Sequence, residues 1–388
     1  MGILDWHWSL MDWVLALTTA LGVLYYLRRR SGNRFSKYNI PHIKSSFMSN
    51  LGKNVSKSFH YQVLDIYNDL KEHQYGGCFL FNMPFFFIND PELIKTLAVK
   101  DFEYFTDHRP ITEDLPGKEA IWTKGVFSLR ENEMMVLELK EFFTRYTNDV
   151  IATTAFGIGV DSLKQPKNEF FLMELEDDDI VAQALIFFLA GFDTSSSLLC
   201  FVCYMLATHS EVQKRLQGEV DRTLEENDGK FTYEIVNNMK YLDIVVSETL
   251  RMYPPVAAID RICNRNYTLK TDPPCEFFPG DFIYFPVFGL HYDPKYYPEP
   301  EKFDPERFSD DNKHNINPFT YLPFGIGPRS CLGNRFALME TKLVLAYMLT
   351  KFNIRTVSKT PESLKFAQKG FNLTIEGGFW VGLEMRKS

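Results

Sequence analysis

Cys331 stands in the run Phe324-Gly325-Ile326-Gly327-Pro328-Arg329-Ser330-Cys331-Leu332-Gly333, a glycine turn that ends where an apolar helical pattern begins. This arrangement suits a thiolate that binds a metal. Glycines let backbone approach a bulky partner where a Cβ would clash. A helix beginning just after Cys331 offers N–H groups and the positive end of its dipole, and both favour ionised sulfur. Arg329 places a cation beside the turn for the carboxylates of a bound group. Phe324 can pack next to the sulfur and limit water. A buried cysteine in a helix-start turn would need no ligand and is the bland alternative.

Two further constellations could do chemistry. Ala190-Gly191-Phe192-Asp193-Thr194-Ser195 lies within a long apolar stretch. Asp and Thr are disfavoured in mid-helix, so Asp193 and Thr194 call for a reason. Gly191 would allow the helix to widen locally, leaving the Thr194 hydroxyl to bond the carbonyl one turn back or a guest molecule. A Ser/Thr cluster bonded only to its own helix is the competing reading. Glu248 and Arg251 share one helix face, and Arg307, in Pro305-Glu306-Arg307-Phe308, could complete a charge-assisted network. As a solvated surface pair they would contribute little, but Ile244-Val245-Val246 and Leu250 predict burial. His291, in His291-Tyr292-Asp293-Pro294, reads as structural.

Helices must position these groups. The pattern predicts helices over Tyr61 to Glu72, Pro91 to Val99, Leu137 to Phe156, Glu211 to Glu226, Tyr233 to Tyr253 and Leu332 to Phe352. Between Glu176 and Ala207, an acidic start opposes the positive dipole end of an apolar helix. Apolar on all sides, that helix belongs in the protein centre, and Gln183, Asp193 and Thr194 argue against a membrane span. Gly76 to Ile88 reads as a hairpin, Arg261 to Pro286 as short strands, Pro294 to Pro323 as irregular, and Leu364 to Arg386 as a final hairpin. Residues 1–30 read as a signal anchor: Leu10 to Leu27 is apolar but for Asp12, and Arg28-Arg29-Arg30 follow as the cytosolic flank. Residues 31–58 form a linker and 59–388 a mainly α domain with small β-sheets.

Composition agrees. The 388 residues are 45% hydrophobic, enough for a sizeable core. A net charge of −8 without a basic field excludes nucleic acid as an expected partner. The 35 Phe residues read first as core and second as an apolar ligand site. The six cysteines are scattered, as reduced thiols of a cytosol-facing domain would be. Cys200 and Cys203 form a C-x-x-C inside an apolar helix and read as buried thiols.

The Cys331 loop, with Asn334-Arg335-Phe336-Ala337-Leu338-Met339-Glu340 behind it, resembles the signature of the cytochrome P-450 family, in its microsomal, arthropod detoxification branch. The resemblance implies haem b with Cys331 as axial thiolate, and Phe324, Gly327, Arg329, Gly333 and Arg261 as cofactor-binding residues. Thr194 and Asp193 would serve the bound dioxygen and its proton supply. Glu248, Arg251 and Arg307 would hold the thiolate loop from behind. The implied activity is monooxygenation of small apolar substrates, xenobiotics or endogenous lipophiles, at the endoplasmic reticulum membrane with the catalytic part in the cytosol. Electrons would come from an NADPH-dependent flavoprotein reductase, with cytochrome b5 as a further partner.

The chain departs from the family pattern at two junctions. After Phe127-Ser128-Leu129-Arg130 the expected Trp–Arg pair for the haem propionates is missing, near residues 131–137. Near 172–176 a long helical lid is reduced to a few residues. These gaps predict weaker haem retention and an open distal pocket. A catalytically impaired, membrane-tethered remnant is therefore the alternative function, and a haem-thiolate isomerase is disfavoured by Asp193–Thr194.

Overall fold

The computed structural model describes residues 35–36, 38–43, 57–80, 83–106, 134–156, 178–271, 274–367 and 375–386. In chain order the elements are α1 (Phe59–Leu70), β1 (Tyr75–Leu80), β2 (Met83–Ile88), α2 (Pro91–Lys95), β3 (Met134–Glu138), α3 (Leu139–Phe156), α4 (Asp178–Thr208), α5 (Ser210–Glu226), α6 (Tyr233–Asn237), α7 (Lys240–Met252), β4 (Ile259–Ile262), β5 (Tyr267–Leu269), β6 (Cys275–Phe277), β7 (Phe282–Phe285), α8 (Val287–His291), α9 (Asn334–Lys351), β8 (Phe352–Arg355) and β9 (Trp380–Met385). The fold is mainly helical with small sheets, as the sequence predicts. The anchor segment, most of the linker and both junctions' missing-family features lie outside the described residues, apart from 134–137.

The chain forms two compact units. The first comprises residues up to 56, 65–109 and 260–286. Its main sheet runs β1-β2-β7-β4. The hairpin pairs Tyr75 with Ile88 and Leu80 with Met83, and β2 lies parallel to β7. Phenylalanine fills this unit: Phe85 stacks on Phe282 at 5.0 Å and on Tyr284 at 5.3 Å. Gly77 is required here, because an added Cβ would come within 2.5 Å of the Phe35 ring. These rings are core. Asp90 caps α2 by accepting the Glu92 and Leu93 N–H groups.

The second unit comprises residues 57–64, 110–259 and 287–388. Its centre is the apolar half of α4, where Leu198 to Leu206 are buried, Cys200 and Cys203 among them. Ala190–Thr208 is long and apolar enough to cross a membrane, but 67% of it is buried inside the protein. It is a core helix, as its interrupting polar residues predict. Its three-stranded sheet runs β3-β9-β8.

Two element boundaries differ from the sequence expectation. Residues 134–138 are strand, paired from Met134–Glu384 to Glu138–Trp380, and α3 begins only at Leu139. The Glu138 carboxylate explains the switch: it accepts the Phe379 N–H across the sheet and the Glu141 N–H in the first helical turn. The single helix expected over Tyr233 to Tyr253 is two. The Asn238 N–H closes α6 on Glu234 and Ile235, while Glu219 of α5 accepts both the Tyr241 and Leu242 N–H groups that open α7. Of the expected final hairpin, the described residues hold the antiparallel bridge Phe366–Ile375, and residues 368–374 lie outside them. The strand after Gly377-Gly378 pairs with β3 and β8.

Candidate functional site

The thiolate loop is built by backbone geometry. Gly325 and Gly327 both take positive φ, +74° and +77°, a region that side-chain-bearing residues avoid. Ser330 N–H bonds Gly327 O at 3.0 Å and Cys331 N–H bonds Phe324 O at 2.8 Å. Phe324 thus closes the loop through its carbonyl. Helix α9 starts at Asn334, after Gly333, which has no side chain to cap it; the Asn334 side chain itself accepts the Arg335 N–H at 2.6 Å. Gly333 itself has negative φ and open space around a built Cβ. Arg329 ends a short turn and is exposed. Cys331 is exposed while the other five cysteines are buried. Leu332 beside it is 84% exposed.

Behind the loop, the predicted network is assembled. Glu248 and Arg251 have side chains 0% exposed. Arg251 Nε and Nη2 donate to the two Glu248 carboxylate oxygens, each at 2.8 Å. Asp304 N–H donates to Glu248 Oε1 at 3.0 Å, and Arg307 Nε stands 3.4 Å from the same oxygen. Burial works against the Arg251 charge, but the Glu248 carboxylate overrides it and raises the Arg251 pKa.

His291 connects this network to the loop. Arg251 Nη1 donates to the His291 carbonyl, and Leu322 N–H donates to His291 Nε2, each at 2.9 Å. Leu322 O then accepts from Gly325 N–H at 3.1 Å. Burial pushes the His291 pKa down to about 3, so the ring is neutral. Its structural reading holds, but its place between Arg251 and the glycine turn was not legible. The only signal was a histidine in an otherwise apolar and Pro-rich neighbourhood.

On α4, Thr194 Oγ1 donates to Ala190 O at 2.5 Å, and Ser196 and Ser197 donate to Asp193 O. The hydroxyls are therefore bonded to their own helix. The helix is α throughout 178–208, so the local widening expected at Gly191 is absent. Gly191 instead allows close packing with α3, since an added Cβ would lie 2.9 Å from Ile151 Cδ1. Asp193 does reach beyond its helix. Lys140 Nζ of α3 lies 2.8 Å from Asp193 Oδ1 and 2.9 Å from Asp193 O. Sequence reasoning missed Lys140, whose only signal is a lysine in a helix facing apolar neighbours.

Arg261 lies on β4, in the first unit. Its side chain is fully buried, donates to Asp260 O at 2.7 Å and sits 5.9 Å from the Phe285 ring centre. The other predicted site residues all belong to the second unit.

Comparison with known proteins gives this geometry a family. The model of the family described as Cytochrome P450 matches residues 168–380. Cytochrome P450 9e2 of Blattella germanica is 40% identical, covering 97% of this chain and 98% of the relative, over an alignment of 528 positions. Probable cytochrome P450 9f2 of Drosophila melanogaster is 32% identical over 84% of this chain and 89% of its own length. Cytochrome P450 3A31 of Mesocricetus auratus is 33% identical over 93% and 94%. The glycine turn that presents Cys331 is thus no isolated coincidence, and the chain belongs to the cytochrome P450 family, haem-dependent monooxygenases whose iron is held by a cysteine thiolate.

Proposed function

We propose that this chain oxidises small lipophilic substrates as a detoxification-type monooxygenase at the endoplasmic reticulum membrane. Its catalytic part faces the cytosol, and an NADPH-dependent flavoprotein reductase supplies electrons, with cytochrome b5 as a further donor. One observation carries the assignment of the iron ligand: of six cysteines only Cys331 is exposed, and it lies on the glycine turn.

The residues present fit a haem. An exposed sulfur next to a Leu332 side chain that is 84% exposed offers one coordinating atom beside an apolar group that the face of a macrocycle would cover. When bound, the haem supplies an iron that activates dioxygen, and thiolate donation favours O–O cleavage. Arg329 is exposed beside the turn and available to a propionate. Glu248, Arg251 and His291 hold the loop through Leu322. Lys140 donates to the Asp193 carboxyl group and orients it. Thr194 must turn its hydroxyl away from Ala190 O to meet a ligand, exchanging one hydrogen bond for another.

The signal anchor is supported by the order of its sequence, apolar run then arginines. The alignment of 528 positions against 388 residues supports the inference that stretches of the family pattern are missing inside this chain. The test is reconstitution of the full chain with haem and reductase in phospholipid vesicles, with an alkoxycoumarin as probe. NADPH-dependent dealkylation is the expected result. Haem uptake without product in the presence of active reductase would favour the impaired remnant.

A further inference from the structure

Helix α5 carries none of the expected site residues, yet it touches both parts of the chain that meet at Glu248. The first part is α7, which bears Glu248 and Arg251. It begins at Lys240, and its N-cap residue Met239 makes no side-chain cap. The first N–H groups of a helix have no partner within it. Glu219 of α5 supplies partners from another helix: Oε1 accepts the Tyr241 N–H and Oε2 the Leu242 N–H, each at 2.8 Å.

The second part is the Pro305–Phe308 turn that bears Arg307. Arg215 lies one turn before Glu219 on the same face of α5. Its Nη1 donates to Glu306 Oε1 of that turn, and its guanidinium stands 4.0 Å from the centre of the Tyr241 ring. Glu248 meets the same stretch of chain, accepting the Asp304 N–H and facing Arg307 Nε.

Helix α5 is itself moored to the sheet. Gln213 Nε2 donates to Ile354 O at 2.8 Å and Gln213 Oε1 accepts the Ile354 N–H at 2.7 Å, as a neighbouring strand would. Gln217 Nε2 donates to Phe352 O at 3.2 Å. Arg386, which follows β9, donates to both Asp221 carboxyl oxygens. The helix therefore carries the frame of the sheet to the start of α7 and to the Arg307 turn.

We propose that Glu219 is a positioning residue for the haem-thiolate site, with Arg215 as its second arm. Together they set α7 against the Pro305–Phe308 turn and so place Glu248 where it meets Arg307 behind the Cys331 turn. Glu248 lies about 12 Å along α7 from Lys240, so fixing the first turn of this helix fixes where Glu248 stands. What is positioned rests on the reading of Cys331 as iron ligand; the cap and its reach to Glu248 do not.

The test uses the full chain and two readouts. Amide hydrogen exchange needs no pigment. E219A is predicted to speed exchange about tenfold at Tyr241 and Leu242, and also at Asp304, whose N–H depends on the place of Glu248. In the reduced, carbon monoxide-treated haem protein, E219A is predicted to lose the long-wavelength thiolate band about tenfold faster on standing than the wild type. F85L, a substitution in the buried core of the first unit, should leave all three amides and the band as in the wild type. Unchanged exchange at Tyr241 and Leu242 in E219A would overturn the cap, and unchanged exchange at Asp304 would overturn the positioning. Equal effects in F85L would reduce both to general destabilisation and overturn the proposal. If E219A fails to fold, E219Q decides: it keeps one acceptor oxygen, so one of the Tyr241 and Leu242 amides should stay protected while the other and Asp304 exchange faster. A wild type without the thiolate band would sink the iron-ligand reading, while the exchange results would still judge the cap and its reach.

Discussion

Arg251 and His291 hold each other by reciprocal hydrogen bonds: the Arg251 Nη1 donates to the His291 carbonyl at 2.9 Å, and His291 Nδ1 lies 2.9 Å from the Arg251 carbonyl. Since Leu322 N–H donates to Nε2, the neutral ring carries its proton on Nδ1 and donates it to Arg251. One imidazole thereby ties a buried ion pair to the strand of chain that enters the Cys331 turn. The tie works only while the ring is neutral, because protonation would set two N–H groups against each other at Nε2.

This predicts an acid limb in stability. His291 titrates near 3 in the folded chain and at its ordinary 6.5 when unfolded, and buried His60 behaves likewise at about 4. A depressed pKa means that the unfolded chain binds more protons as pH falls, so stability present above about 6.5 is lost progressively below it. Denaturant midpoints should decline below that pH. H291A should weaken the decline and lower stability by about 2–4 kcal/mol from lost buried hydrogen bonds and a cavity. An unchanged acid slope in H291A would show that the ring is not the titrating group.

The Glu248–Arg251 pair should be intolerant of partial removal. E248A leaves a buried guanidinium without its carboxylate and should cost about 3–5 kcal/mol. R251K should also be severe, since an ammonium cannot reproduce the two parallel bonds to Glu248 and the bond to His291. Thermal denaturation of both variants checks this. A loss under about 1 kcal/mol for either would mean that the pair behaves like a solvated one.

Much of this was readable in the chain and some was not, for physical reasons. The Cys331 turn, the Glu248–Arg251 face and the apolar run of α4 are local: each is set by residue types at fixed helical or turn spacing. Lys140 and His291 matter through partners far off in sequence, and no local pattern reveals such pairings. The Gly191 widening failed because a small residue in a helix can serve either a bend or close packing, and Ile151 of α3 decides for packing. The strand at 134–138 escaped because a short apolar run has no period of its own and took its structure from β9.

Lys140 should matter to α4 without touching the Cys331 turn. Its amine binds Asp193 and the Ser196 and Ser197 hydroxyls, with both charged side chains 21% exposed. K140M should destabilise by about 1 kcal/mol, a partly screened pair plus lost hydrogen bonds. It should leave the carbon monoxide spectrum of the reduced haem protein as in the wild type. Loss of that spectrum in K140M, with folding retained, would contradict the separation of the two parts.

The central claim is that Cys331 gives its sulfur to the iron. The most direct measurement is the Soret band of the reduced, carbon monoxide-treated full chain, recorded beside C331A and C203A. The wild type and C203A should show the long-wavelength band that marks a thiolate opposite carbon monoxide, and C331A should lack it. A wild-type band in the position given by a nitrogen ligand, or a thiolate band surviving in C331A, would contradict the account.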